Sequence, residues 1–360
     1  MDFKQIQKEF FVLTVNVSEG RDPHRIDAVA CKVDAIRDGI LLMVKPNARY
    51  NRTVISLATR LDKIKPAALT IARAVKENVD MQHHQGDYPR LGALDNMAVI
   101  PLTFRNMPLA SVVARDVAEQ LGREFRIPVY LFGAAATRVE RKDVQFFRQY
   151  QYEQLPELLN RAEWRPDFGP RKFQPRLGAA LIGARLFYLT FAIYLDTEEV
   201  EIVEQFARTF THFEGVPMDN ASGLDEKPFK IRKLKILRHV STLVDLVSHQ
   251  RMVRIICKIK DYQQAPLHEV YELLEKAFNR IGIKLIGSQI YGFIPSEVLI
   301  HAGRYFFKGK SLRHMDELRL LTLAVNRLRV DAIEPFDRHL QILEWCIRNA
   351  LLIEVQAPKN

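Results

Sequence analysis

The sequence predicts an α/β chain built as two layered units. Apolar, β-branched runs of strand length alternate with stripes at helical spacing, and short polar connections join them, a pattern that favours sheets covered on one face by helices. At 360 residues the chain exceeds one ordinary domain and suits two of roughly 150–180 residues. A 48% hydrophobic content and a mean hydropathy of −0.13 describe a globular protein. No apolar run reaches the roughly 18 residues of a membrane span, and Met1-Asp2-Phe3-Lys4 lacks the pattern of a signal peptide, so a cytoplasmic protein is expected. Cys31, Cys257 and Cys346 are odd in number and far apart, which indicates neither a disulfide framework nor a zinc site; buried thiols are expected.

Phe10 to Val17 reads as a strand that runs into the polar turn Ser18-Glu19-Gly20-Arg21. Asp22 is a good N-cap with Pro23 after it, and Ile26, Val29, Ala30, Val33 and Ile36 space a helix to about Arg37. Strands follow at Ile40 to Val44 and Thr53 to Ala58, then a helix marked by Ala68, Ile71, Ala72, Val75 and Val79. Beyond a long loop, Ala98 to Phe104 is a strand, Leu109, Val112, Val113, Val117, Leu121 and Phe125 stripe a helix, and Pro128 to Gly133 is a further strand. Trp164 to Pro170 is rich in turn formers and reads as a linker.

Gly178 to Arg185 and Phe187 to Asp196 open the second unit as strands, followed by a helix over about Glu198 to Thr211 and a polar loop from Glu214 to Lys227. Strands are expected at Lys230 to Leu237 and Val253 to Lys260, a helix on Leu267, Val270, Tyr271, Leu274, Phe278 and Ile281, and a strand from Ile283. From Ser296 the apolar spacing is helical almost to Leu352. The expected division is residues 1–177, 178–335 and a C-terminal helix and tail, 336–360.

The net charge of +10 and a pI near 9.4 suit an acidic partner. Charge alone is compatible with nucleic acid, but no RNA-binding motif concentrates it. Lys227, Lys230, Arg232, Lys233, Lys235 and Arg238 form the densest basic cluster, which could equally be the wet face of an edge strand.

Chemistry concentrates in the loop Asp80 to Asp95. Two adjacent histidines, His83 and His84, Tyr88, Arg90 and three carboxylates lie within sixteen residues, supplying proton carriers, an anion anchor and acceptors together. A solvated surface loop would have a similar composition.

Gly86-Asp87-Tyr88-Pro89-Arg90-Leu91-Gly92-Ala93-Leu94-Asp95 resembles the Gly-Glu-His-Pro-Arg-Met-Gly-Ala-Leu-Asp signature of the glutamate formimidoyltransferase family. Further similarities run in order along the chain: Asn16-Val17-Ser18-Glu19-Gly20-Arg21, Asn51-Arg52-Thr53-Val54, the Gly133 turn, Trp164 to Pro170, the run ending at Arg185, and Gly287 to Pro295. The resemblance implies two similar subdomains whose mixed sheets face a cleft with helices outside, a homodimer through the first subdomain, and tetrahydrofolate as the acceptor of a formimidoyl group. Folate or another anionic small molecule would then be the partner that the positive charge serves. It also implies differences. Tyr88 stands where the family has its catalytic histidine, Lys45 where it has that histidine's aspartate partner, Ala134 for a glutamate, and Ala192 and Tyr194 for two asparagines.

An amine nucleophile must lose a proton as it attacks, and a base titrating near pH 7 serves well. A tyrosinate in that role would need its pKa lowered by about three units, part of which Lys45 could supply if near. The candidate catalytic residues are therefore Tyr88, His84 and Lys45; His84 aligns with a histidine of the family's loop, and either it or His83 beside it could stand in as the base by a shift of one loop register. Asn16, Asn51, Arg52, Gly86, Arg90, Gly133 and Arg185 are the substrate-binding candidates that the motifs imply. Arg52 and Arg90 could each hold a carboxylate, or could brace the loop internally. Two readings stay open: a folate-binding one-carbon transferase homologue with an altered site, and a non-catalytic binding or scaffold protein on the same fold.

Overall fold

The computed structural model describes residues 2–213, 234–247, 251–307 and 316–356. Contacts divide the chain into two units, Met1–Arg185 with Ala350–Asn360, and Leu186–Asn349. Each is a mixed α/β layer, and no described helix is long and apolar enough to cross a membrane.

The first unit runs α1 (Phe3–Glu9), β1 (Phe10–Val17), α2 (Pro23–Asp34), β2 (Gly39–Asn47), β3 (Arg52–Arg60), α3 (Ile64–Asn78), β4 (Leu94–Pro101), α4 (Met107–Phe125), β5 (Val129–Gly133), the short helices α5 (Gln145–Arg148) and α6 (Leu155–Leu158), and β6 (Ala180–Ala184). Its sheet has the order β2-β3-β1-β4-β6-β5. β1 pairs antiparallel with β3 and β4, while β6 runs parallel to both β4 and β5. Asp22 caps α2 as its sequence suggests, accepting from the backbone N–H groups of His24 and Arg25. α3 buries Ala68, Ile71, Ala72 and Val75. α4 buries the later part of its expected stripe, Val117, Leu121 and Phe125, together with Ala110, Ala114 and Ala118, whereas Leu109 and Val112 at its start are exposed.

Two boundaries differ from expectation. The strand near Gly178 to Arg185 is β6, an inner strand of the first sheet, so the first unit ends at Arg185 and not at residue 177. Trp164 to Pro170 is part of the same unit and not a linker. Trp164 is buried against Tyr130, Phe146, Phe147 and Tyr150, and Phe168 exchanges backbone bonds of 2.9 and 3.1 Å with Val129. Turn formers make this segment bend, but aromatic burial fixes it in place.

The second unit comprises β7 (Leu189–Leu195), α7 (Val200–Phe210), β8 (His212–Phe213), β9 (Val240–Val247), β10 (Met252–Ile259), α8 (Leu267–Asn279), β11 (Leu285–Tyr291), α9 (Ser296–Phe306), α10 (Glu317–Leu328), α11 (Arg338–Gln341) and α12 (Leu343–Gln356), the last continuing past Asn349. Its sheet has the order β11-β7-β10-β9-β8. Of the strand expected at Lys230 to Leu237, residues 234–237 belong instead to a 3-10 stretch, Leu234–His239, that leads into β9; residues 214–233, with the rest of that expected strand and most of the basic cluster, lie outside the described residues. The C-terminal helix is broken in two, because Ile342 bridges to Ile294 between α11 and α12. Glu344 is fully buried there and accepts from the N–H and hydroxyl of Ser296, closing the open end of α9. Cys257 is buried as expected, but Cys31 is exposed.

Candidate functional site

The candidate site grows from an irregularity in β4. Asn16 pairs with Asn96 but Val17 pairs with Leu94, so Asp95 is an extra residue in a β-bulge, a device that re-aims a side chain. Its carboxylate has no exposure. Arg148, from α5, donates to both its oxygens at 2.9 and 2.7 Å, Arg52 approaches at 3.1 Å, and the Leu91 N–H donates at 3.1 Å. Burial by itself would raise this carboxyl's pKa, but the charges of Arg148 and Arg52 and the bonds it accepts hold it below the ordinary carboxylate range.

Arg52 extends the network. Its Nε donates to Asn16 Oδ1 at 2.9 Å, and Asn16 Nδ2 donates to Asn96 Oδ1 at 2.6 Å. The guanidinium carbons of Arg52 and Arg148 stand 4.7 and 5.5 Å from the centre of the half-buried Tyr88 ring, at cation–π range. Tyr50 packs on the same ring at 5.7 Å. One carboxylate thus fixes two cations, and both cations lie against Tyr88.

A second network braces the loop. His84 is buried; its Nδ1 accepts from Arg90 Nε at 3.1 Å, which leaves the proton on Nε2 to be donated to the Asn51 carbonyl at 2.8 Å. Burial first, and then the nearby Arg90 charge, lower the His84 pKa against the pull of the Asn51 bond, so the neutral ring fits its surroundings. Arg90 turns its remaining donors inward, gripping Glu153 at 2.6 and 2.8 Å, Gln151 at 2.7 Å and the His84 carbonyl at 2.9 Å. Asn51 adopts a left-handed conformation (φ 47°), accepts from the Gly20 N–H and donates to the Gln85 carbonyl. Gly86 lies so close to the Tyr50 carbonyl that a Cβ would stand 2.4 Å from it. Glu19 Oε1 collects the N–H groups of Gly20, Arg21 and Asp22, each at 3.0 Å.

Asn16, Asn51, Arg52, Gly86, Tyr88, His84 and Arg90 are therefore brought together. Lys45 lies in the same row of the sheet, paired through Val54 to Asn16, exposed on β2 two strands away, roughly 10 Å from Asn16 between backbones. Arg52 and Arg148, not Lys45, are the cations found on the Tyr88 ring. Gly133 and Arg185 stand elsewhere. Gly133 (φ 64°) pairs with Ala184, three residues beyond the row that contains Asn96, Leu181 and Tyr130, and so sits at the other end of the parallel strands, roughly 10 Å further along them. His83 is exposed beside the cluster. Arg148, Asn96 and Glu153 complete the networks without having been singled out in the sequence; Asn96 directly follows the motif loop on β4, whereas Arg148 and Glu153 reach the site through space from a distant segment that no local pattern marks.

In the second unit, Tyr194 lies in a hydrogen-bonded chain of its own. Arg254 donates to the Tyr291 hydroxyl at 2.9 Å, Tyr291 and Tyr194 hydroxyls are 3.0 Å apart, and Tyr194 donates to Gln289 at 2.7 Å. Burial and the Tyr194 bond push the Tyr291 pKa up to about 12.

The family models and the similar sequences agree with one another. Residues 10–185 match the formiminotransferase domain, N-terminal subdomain, and residues 221–348 match the formiminotransferase domain. The chain is 31% identical over 332 residues to the formimidoyltransferase-cyclodeaminase of Rattus norvegicus, covering 92% of this chain but only 59% of that longer protein. It is 31% identical over 308 residues to the glutamate formimidoyltransferase of Thermoplasma acidophilum, covering 85% of this chain and 94% of that one. Against the glutamate formimidoyltransferase of Streptococcus pyogenes serotype M1 the identity is 27%, over 91% and 95%.

Proposed function

Since the chain belongs to the formiminotransferase family, we propose that it is a formimidoyltransferase-like protein that binds a tetrahydrofolate-type one-carbon carrier and whose altered site has diverged in its chemistry or substrate. In formimidoyl transfer the carrier's nitrogen attacks the formimidoyl carbon and gives up a proton, while the glutamate nitrogen takes one as its bond to that carbon breaks. A base at the attacking nitrogen is the essential protein group.

The observation that carries the reading is the setting of Tyr88. On the motif resemblance it holds the position of the family's histidine, and its ring meets two guanidinia anchored on one buried carboxylate. That setting favours electron-rich or anionic groups near the ring and offers no imidazole to accept the proton. His84 does not replace it, because one ring nitrogen is occupied by the Arg90 N–H and the other carries the proton given to Asn51. Asn16 and Arg52 line the same place, and Lys45, in the same sheet row as Asn16, replaces an acid of the family pattern, which makes the surroundings more welcoming to an anionic carrier.

A specific observation favours the non-catalytic reading as a second choice. Arg90, a motif arginine suited to hold a substrate carboxylate, turns all its donors to Glu153, Gln151 and His84. A protein that kept the fold while turning its anchors on itself would act as a scaffold and would not hold the one-carbon substrates.

The deciding experiment is an isotope-labelled transfer assay with tetrahydrofolate and formimidoylglutamate, run beside calorimetry with tetrahydrofolate. Folate binding that weakens with salt, with transfer at background, supports the altered-site reading. Turnover at the rate of an ordinary family member overturns it, and absence of folate binding at millimolar concentration leaves the scaffold reading alone. Light scattering tests the homodimer that the family resemblance implies.

A further inference from the structure

Away from the Tyr88 cluster, the first unit contains a surface cavity of about 480 Å³ between α4 and the segment that follows Trp164, lined by Glu119, Arg123, Arg165, Asp167, Gly169 and Arg171 among others. Its volume falls in the range of small-molecule pockets, but its lining is charged where such pockets are usually apolar.

The charges do not cancel within it. Asp167 is already committed: Oδ2 accepts from Arg141 at 2.7 Å and from the Leu131 N–H at 2.9 Å, and Oδ1 accepts from the Thr137 hydroxyl. Arg141 is fully buried behind the wall, so this pair is neutral as seen from the cavity. Glu119 and Arg123 neutralise each other one helical turn apart on α4. That leaves Arg165 and Arg171. Arg171 uses only its Nε, on the Leu159 carbonyl, and among the described residues the Arg165 side chain makes no ion pair or hydrogen bond.

The backbone that presents them is held from both sides. Arg141 donates to the carbonyls of Glu163 and Arg165 at 2.7 and 2.8 Å, and Phe168 is paired with Val129. Gly169 (φ 78°) lies where a Cβ would stand 2.0 Å from the Ile127 carbonyl, so its conformation is fixed by close packing. Two uncompensated guanidinia on a fixed rim, facing a polar cavity, form a receptor for paired anionic oxygens.

We propose that this cavity binds a small polyanion carrying at least two negative charges, a polyphosphate or a polycarboxylate, independently of the one-carbon site. The test is calorimetry on the full chain with pyrophosphate and with citrate, at low and at moderate salt. Saturable one-site binding is expected, weakened at least about ten-fold in the double variant Arg165→Gln/Arg171→Gln and largely kept in Arg165→Lys, since the first removes both charges and the second removes neither. Both side chains are exposed, and an unchanged melting temperature will show that the variants fold. Binding of pyrophosphate alone, lost in the double variant, identifies a phosphate ligand; binding of citrate alone, lost in the same way, identifies a polycarboxylate. If neither anion binds at millimolar concentration, or if the double variant binds as well as the original chain, the proposal fails.

Discussion

Arg148 and Asp95 meet through two parallel bonds where neither side chain reaches water to any extent, with 5% and 0% of their side-chain surfaces exposed. Replacing Arg148 with methionine leaves a buried carboxylate with Arg52 as its remaining charged partner. A loss of about 3–5 kcal/mol of stability is expected, read from the urea midpoint.

The same carboxylate sets an acid limit. Its folded pKa lies below the unfolded value of about 3.9, so the folded state holds fewer protons between the two. The stabilisation is complete above the unfolded value and disappears as the pH falls through the folded one. Denaturation from pH 6 to 3 should show this slope, and Asp95→Asn, although less stable throughout, should have a shallower one.

His84 adds a second slope nearer neutrality. Its folded pKa is lowered from about 6.5, first by burial and then by the nearby Arg90 charge. Stability from this group is present above about pH 6.5 and declines below it. His84→Gln should remove that part of the pH dependence, and a slope between pH 7 and 5 identical to the original would contradict the neutral-ring assignment.

Tyr88→His alone is expected to leave formimidoyl transfer at background. The new imidazole would lie against Arg52 and Arg148, which disfavour its protonated form, and no free carboxylate would orient it. Combining it with Lys45→Asp supplies such a carboxylate from the same sheet row as Asn16. Transfer should then exceed either single variant by at least about ten-fold, since groups that act as a unit are non-additive. If the double variant binds folate but stays silent, the defect lies in substrate positioning.

Gly92→Ala should show how tightly the loop is held. A Cβ there would stand 2.2 Å from the Ala179 carbonyl and 2.4 Å from that of Leu177, and the Gly92 carbonyl also accepts from Ser18 at 2.7 Å. A cost of about 1–3 kcal/mol is expected from thermal or urea unfolding.

Local signals carried much of the fold. β1 coincides with the run from Phe10 to Val17, and Asp22 with Pro23 starts α2 where their chemistry requires. The errors arose where the deciding partner is far along the chain. Alternating lysines suggested a strand before β9, although strand propensity was equally available in Val240–Val247. The sequence places β6 at the start of the second unit, since a parallel neighbour leaves no mark in the strand itself. At the site, the motif loop brought Tyr88, Arg90 and Asp95 into view together. The partners Arg148 and Glu153 come from a stretch with no periodicity to read, and the inward turn of Arg90 depends on them. Gly133 and Arg185 belong to motifs with the right spacing along the sequence but lie at the far end of their strands.

The position of β6 also orders events during synthesis. It is the last strand of the first sheet to emerge from a ribosome, yet it is the one that joins β5 to β4. Until residue 184 is available, the nascent chain has β2, β3, β1 and β4 with an unpaired edge at Asn96 to Val99, and β5 has no ladder to join. That edge is an invitation to chaperones or to neighbouring chains. A fragment cut at residue 177 would retain it permanently, while one cut after Arg185 would not.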